Sequence, residues 1–134
     1  MAKYVYPAIF TLEETGGYSI NFPDVKNCFT DANTLAEAME NANDVLCFTL
    51  YDMERNDIDI PKASTVADIQ HLTKENEFVS LVACDTIEYR KFYDNRAVKK
   101  TLSIPSWLNE LAEKAGLNFS ATLQEALKNQ LNIS

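Results

Sequence analysis

The stretch that most constrains the fold is the last third of the chain, because it spells out structure that cannot stand alone. From Val98 to Ile104 the residues alternate. Val98, Lys100, Leu102 and Ile104 fall on one side of an extended chain, and Lys99, Thr101 and Ser103 on the other. Pro105 ends that strand and Ser106 caps or opens a helix. The helix carries an apolar stripe of Trp107, Leu108, Leu111, Ala112 and Ala115. Gly116 stops it, and Asn118 is placed to cap a second helix with Phe119, Leu123, Ala126, Leu127 and Leu131 on one face. A piece this short does not bury both faces by itself: chains below about 40 residues need a metal, disulfides or a second copy. No cysteine lies in the stretch. That leaves a second copy, or else a helical hairpin that packs on the rest of the chain.

If two copies pair their strands antiparallel across a twofold axis, Leu102, Ile104, Trp107, Leu108, Leu111, Leu123 and Leu127 form a shared dimer core. Lys99, Thr101 and Ser103 of each copy then point outward together. A two-stranded ribbon fits the major groove of B-DNA, where Lys, Thr and Ser donate to base edges or phosphates. The free N–H groups that open the second helix, at Asn118, Phe119 and Ser120, are placed to clamp a phosphate. The pattern, with its Thr101-Leu102-Ser103-Ile104-Pro105-Ser106-Trp107-Leu108 opening, resembles a ribbon-helix-helix DNA-binding domain. The resemblance implies that Lys99, Thr101 and Ser103 face the bases. Lys100 departs from it, filling a slot usually held by an apolar side chain; either it snorkels at the end of the ribbon or the strand begins later. Two chains sharing one ribbon imply double-stranded operator DNA with an inverted repeat, read by a homodimer or by dimers paired into a tetramer.

Charge separates the two parts of the chain. Its 134 residues carry a net charge of -8. Residues 1–95 hold 7 Lys or Arg against 17 Asp or Glu, a net of -10, whereas residues 96–134 hold 5 against 3, a net of +2. The front part therefore repels nucleic acid and suits a basic partner, and only the tail is suited to approach DNA. The tail's surplus is small, so affinity for DNA has to come from dimerisation and a defined ribbon contact. Cys28, Cys47 and Cys84 are widely spaced, without a C-x-x-C pair, and His71 is the only histidine. They read as buried thiols of a reducing cytoplasm and a surface histidine, with no metal or cofactor expected. No apolar run approaches a membrane span, and the first residues lack a signal-peptide pattern.

The front part reads as a small α+β domain. Tyr4 to Leu12 and Tyr18 to Phe22 form a hairpin across the Glu13–Gly17 turn, with Pro7 demanding an edge or a bulge. Cys28 to Thr30 is a short third strand. Thr34 and Glu37 make a capping box for a helix running to about Met53, with Leu35, Ala38, Met39, Ala42, Val45, Leu46 and Leu50 on its stripe. Lys62 to Asn76 is irregular or weakly helical, and Phe78 to Cys84 is a fourth strand. Asp85 to Asn95, rich in aromatics, packs or forms a helix before a boundary at Asp94 to Arg96.

The sequence Y-P-A-I-F-x-x-E-E-x-G-G-Y-S-I-N-F-P-D-V, followed by C-F-T-D-A-x-T-L-x-E-A-x-x-N-A, resembles the N-terminal domain of HicB antitoxins. The resemblance implies a truncated ribonuclease-H-like sheet with a packed helix over residues 1–95, followed by the ribbon-helix-helix module over 96–134. Asn27 stands where that family usually has glycine, and asparagine tolerates the same left-handed backbone. A nuclease of this fold needs carboxylates converging on metal ions. Glu13, Glu14, Asp24, Asp31, Glu37 and Glu40 all read as solvated charges in turns, in loops or on the helix surface, so no enzyme activity is expected. The resemblance implies instead that the acidic domain neutralises a small basic ribonuclease toxin. Tyr18, Phe22, Asp24 and Phe29 are the candidate toxin contacts, with plain core as the alternative for Phe22 and Phe29. The rival reading is a stand-alone repressor whose acidic domain binds something else.

Overall fold

Four runs of the front part pair into one antiparallel sheet, Lys3–Leu12 (β1), Tyr18–Asn21 (β2), Phe29–Ala32 (β3) and Glu77–Asp85 (β4), in the order β3-β2-β1-β4. The computed structural model describes residues 3–134. Helices Leu35–Arg55 (α1), Val66–Gln70 (α2) and Thr86–Tyr93 (α3) complete this part, and Ser106–Lys114 (α4) and Phe119–Leu131 (α5) follow. The chain divides into two compact units, Met1–Arg96 and Ala97–Ser134.

Pro7 shows how the sheet tolerates a residue with no ladder donor. It pairs with Leu81 of β4, but on its other side β2 has already ended, since the last β1–β2 pair is Ile9 with Asn21. β1 is central along one half and an edge along the other, and the proline sits in the edge half. The hairpin turn closes through the Gly16 N–H, which donates to the Glu13 carbonyl at 3.0 Å, with Gly16 at φ 93°. Asn27 adopts φ 58°, the left-handed backbone expected of it. β3 runs to Ala32 rather than stopping at Thr30, so Asp31, expected in a loop, lies within an edge strand with its side chain exposed.

α1 covers one face of the sheet because its small and branched residues recur every four positions. Ala38, Ala42, Leu46 and Leu50 are all fully sealed, meeting Tyr6, Ala8 and Phe10 of β1, Ile20 of β2, and Val82 and Cys84 of β4 in one core. The alanines let the helix approach the sheet, and the leucines fill the space beyond. Each such leucine contributes about 1.5–3 kcal/mol by leaving water. The Thr34 hydroxyl accepts from the Glu37 N–H at 3.2 Å and starts the helix where its capping box predicts. Leu35 and Met39, expected on the buried stripe, are 48% and 41% exposed because they flank the 38-42-46-50 row. α2 is capped by Thr65, whose hydroxyl accepts from the Asp68 N–H at 3.1 Å, and the aromatic-rich stretch from Asp85, expected to pack or form a helix, forms α3.

The second unit holds two helices and the run before them. The Ser106 position opens α4 behind Pro105. Gly116 at φ 68° ends it, with the Leu117 N–H donating to the Ala112 carbonyl at 3.1 Å, a left-handed helix stop. Asn118 then caps α5, its Oδ1 accepting from the Ala121 N–H at 3.0 Å. Neither helix contains a buried residue. The alternating run Val98–Ile104, expected as a strand, forms none within this single chain. A strand exists through its ladder, and among the described residues no segment pairs with this one.

Candidate partner-binding surfaces

In the front unit the four residues expected to meet a partner differ in burial and bonding. Phe22 is sealed in the core at 1% exposure, so its ring is unavailable to a partner and its core alternative holds. Tyr18 packs partly against the same core. The Asp24 carboxylate is occupied internally: it accepts from the Ser64 N–H at 2.9 Å and from the Ser64 hydroxyl at 2.5 Å, tying the loop before β3 to the segment before α2. Phe29 alone of the four is well exposed, at 66%, which removes its core alternative.

Glu54, near the end of α1, organises the far side of the unit. Its carboxylate accepts from the Tyr4 hydroxyl at 2.8 Å, from the Thr86 hydroxyl at 3.0 Å and from the Arg90 guanidinium at 3.0 Å. These bonds tie α1 to β1 and to α3. Burial, with the neighbouring Glu54 carboxylate, pushes the Tyr4 phenol up to about 12. Arg90 also lies over the Tyr51 ring, 4.7 Å from its centroid. The one arginine of α3 is therefore committed inward, by charge and by stacking.

Beside this anchor, α1 and α3 present aromatic side chains outward. Tyr89 touches Tyr51 and Tyr93, and Tyr93 touches Phe92, with ring centroids 5.4, 4.5 and 4.8 Å apart. Phe48 on α1 lies exposed near them, lining a shared concavity with Tyr89 and Tyr93. The spacing of α1 carried a partial signal of this: Phe48 falls off the Ala38-Ala42-Leu46-Leu50 row, although Cys47 and Tyr51, also off it, are buried. The aromatics of α3 were legible as packing residues, but not which of them remain exposed.

The thiols are inward-facing and unpaired by disulfide. Cys28, Cys47 and Cys84 are buried and free. The hydrogen bond with Cys47, together with burial, pushes the Cys84 thiol up, and burial does the same to Cys28. Among the described residues no group of three or more His, Cys, Asp or Glu could hold a metal ion. His71 is exposed, and no described helix is long and apolar enough to cross a membrane.

In the second unit every residue expected to touch DNA is exposed, namely Lys99, Thr101, Ser103, Asn118, Phe119 and Ser120. Of those expected in a dimer core, Leu102, Ile104, Trp107, Leu108, Leu111 and Leu127 are exposed in the single chain, and Leu123 is half-buried. Trp107 alone leaves 64% of its surface uncovered.

Comparison with known proteins places the chain. One relative, an uncharacterised 14.9 kDa protein of the rep-hol intergenic region of Haemophilus phage HP1, is 27% identical over 92 residues, 69% of this chain and 67% of that protein. The antitoxin HicB of Escherichia coli K12 is 38% identical over 58 residues, 42% of each chain, so the match spans less than half of that antitoxin. A chain of a toxin–antitoxin complex from Streptococcus pneumoniae superposes with a TM-score of 0.61 at 28% identity, covering 96% of this chain and 99% of that one. The family model described as HicB_like antitoxin of bacterial toxin-antitoxin system matches residues 6–127. With that match spanning both units, the chain belongs to the HicB-like antitoxins of bacterial toxin–antitoxin systems.

Proposed function

We propose that this antitoxin neutralises a small basic, mRNA-cleaving toxin by direct binding through its acidic front domain, and that its tail dimerises and represses its own operon. The observation that carries the reading is the contrast in charge and burial between the units. The front unit has a complete core and a net charge of -10 over residues 1–95. The tail has two helices, no buried residue, and a row of exposed apolar side chains. An acidic, self-sufficient sheet domain suits a basic protein whose active site must attract RNA. A tail that exposes Trp107, Leu108 and Leu111 suits a second copy.

In this reading the front domain is a truncated ribonuclease-H-like sheet and the tail a ribbon-helix-helix module. Pairing Val98–Ile104 with its twofold mate supplies the missing ladder and turns Lys99, Thr101 and Ser103 toward the major groove. The N–H groups at Asn118 to Ser120 hold a phosphate and fix the register. The protein acts as a binder and regulator, without catalysis.

The test is a titration. RNA cleavage by a small basic protein encoded next to this one is measured with increasing amounts of antitoxin, and the absence of any such neighbour overturns the neutralisation reading. Cleavage falling to zero at a fixed molar ratio is the expected result, and that ratio gives the stoichiometry. Cleavage that continues at saturating antitoxin overturns the neutralisation reading and leaves a DNA-binding regulator.

A further inference from the structure

We propose that the aromatic ledge formed by Phe48 of α1 and Tyr89, Phe92 and Tyr93 of α3 is the surface that docks the basic protein partner, with an adjoining acidic concavity receiving a lysine or arginine of that partner. The inference rests on the neutralisation reading above and assigns its contact surface.

The surfaces of the front unit are unequally available. Phe22 is sealed and Asp24 is held by Ser64, so the loop after β2 has little left to offer. The ledge is the opposite case. Phe48, Phe92 and Tyr93 are 58%, 75% and 60% exposed, and the latter two are locked edge to face against one another. Large rigid rings held at the surface are the residues that carry binding energy at protein interfaces, because little rotamer freedom is lost when they are covered.

Charge selects the occupant. A concavity of about 350 Å³ beside the ledge is lined by Asp44, Asp85 and Glu88 together with Tyr89, Phe92 and Tyr93, and no lysine or arginine lines it. The Asp85 carboxylate caps α3, accepting from the Ile87 and Glu88 N–H groups. Glu88 pairs with Lys91 at 3.0 Å, an exposed ion pair of the kind worth little in water. Ring faces beside carboxylates attract a lysine ammonium or an arginine guanidinium by both Coulombic and cation–π interaction. The concavity thus repeats locally the acidic balance of the whole unit, and a basic protein partner matches both.

The experiment uses the 134-residue antitoxin and, as the probe, the small basic protein of the titration above. Binding is measured by titration calorimetry for the wild type, for Phe92→Ala/Tyr93→Ala, for Phe48→Ala and for Asp44→Asn/Glu88→Gln, each with a melting curve and a solution mass. The paired aromatic substitution is expected to weaken binding by about 30-fold or more with unchanged melting. Phe48→Ala is expected to weaken it less, and the charge variant to weaken it and flatten its salt dependence, read from titrations at two salt concentrations. Wild-type affinity in both the paired aromatic variant and Phe48→Ala overturns the assignment while leaving neutralisation standing. So does a changed solution mass with toxin affinity intact, which makes the ledge a self-interface. A wild type that does not bind the probe overturns the neutralisation reading itself.

Discussion

Leu46 and Leu108 are both leucines on amphipathic helices, yet the first is fully sealed and the second is 41% exposed. The difference is in what each helix has to lean on. α1 lies on a four-stranded sheet supplied by its own unit, so its row of Ala38, Ala42, Leu46 and Leu50 is covered within one chain. The tail unit holds α4 and α5 without a sheet, and these helices bury nothing completely. The same sequence device, an apolar stripe at helical spacing, completes a domain in the front unit and leaves an exposed apolar face in the tail.

Truncating each leucine's helix is the sharpest way to break the comparison. Leu46→Ala is expected to cost about 3–5 kcal/mol, read from urea unfolding, with a midpoint that does not depend on protein concentration. Trp107→Ala or Leu111→Ala is expected to cost about 2–5 kcal/mol of dimer stability, seen as a mass shift toward monomer and a concentration-dependent melt, with the front unit's transition left in place. If the tail substitutions instead lower the front unit's midpoint at all concentrations, the tail's apolar face is covered within its own chain and the comparison fails.

How much of this was legible in the sequence follows from the range over which each feature is decided. α1, the Thr34 cap, the Gly116 stop and the Asn118 cap were legible because a few neighbouring residues decide them. The first strand's proline was legible as an edge signal, although only the length of β2 decides which half of β1 is the edge. α3 was half legible: its aromatics announced packing, but its helical start depends on the Asp85 cap and its anchoring on Glu54, far off in the chain. The contact surface was the least legible. Whether Phe22 or Phe92 faces solvent is settled by tertiary packing, and Asp24, which looked available in its loop, is bonded to Ser64 forty residues away.

Glu54 probes the front unit's self-sufficiency at an intermediate level. Glu54→Ala removes the acceptor for Tyr4, Thr86 and Arg90. It is expected to cost about 2 kcal/mol by denaturant unfolding and to loosen α3. The Tyr4 phenol gives a pH counterpart. It is held up to about 12 in the fold against an ordinary 10.0, so the unfolded chain loses that proton first as pH rises. Stability from this group is full below pH 10 and is lost between pH 10 and 12. Tyr4→Phe is expected to flatten the alkaline fall in melting temperature, and an unchanged slope would disprove the link.

Lys99 and Thr101 test the tail without touching its packing. Both side chains are exposed, so their alanine variants are expected to melt like the wild type. Thr101→Ala is expected to lose about 1–3 kcal/mol of operator discrimination, and Lys99→Ala to reduce the salt slope of binding by about one. Toxin neutralisation is expected to stay intact for both. Unchanged DNA binding for the pair removes the ribbon from the reading.

The smallest effect comes from a backbone demand the two units share. Asn27 in the front unit and Gly116 in the tail both hold left-handed φ, at 58° and 68°. A side chain with a Cβ strains there, by about 1–2 kcal/mol for residues that cannot bond locally, and asparagine is the side chain that bears it best. A Cβ added at Gly116 meets nothing within 4 Å, so the cost of Gly116→Ala is purely conformational. Asn27→Ala is accordingly expected to destabilise the front unit by about 1 kcal/mol and Asn27→Gly to leave it within a few tenths. Gly116→Ala brings a similar strain, but that strain falls on a helix stop of the unit proposed to associate. Its effect is expected to grow as the protein is diluted, whereas that of Asn27→Ala stays constant. Equal behaviour of the two on dilution would mean that both turns belong to units of the same kind, each folded without a partner copy.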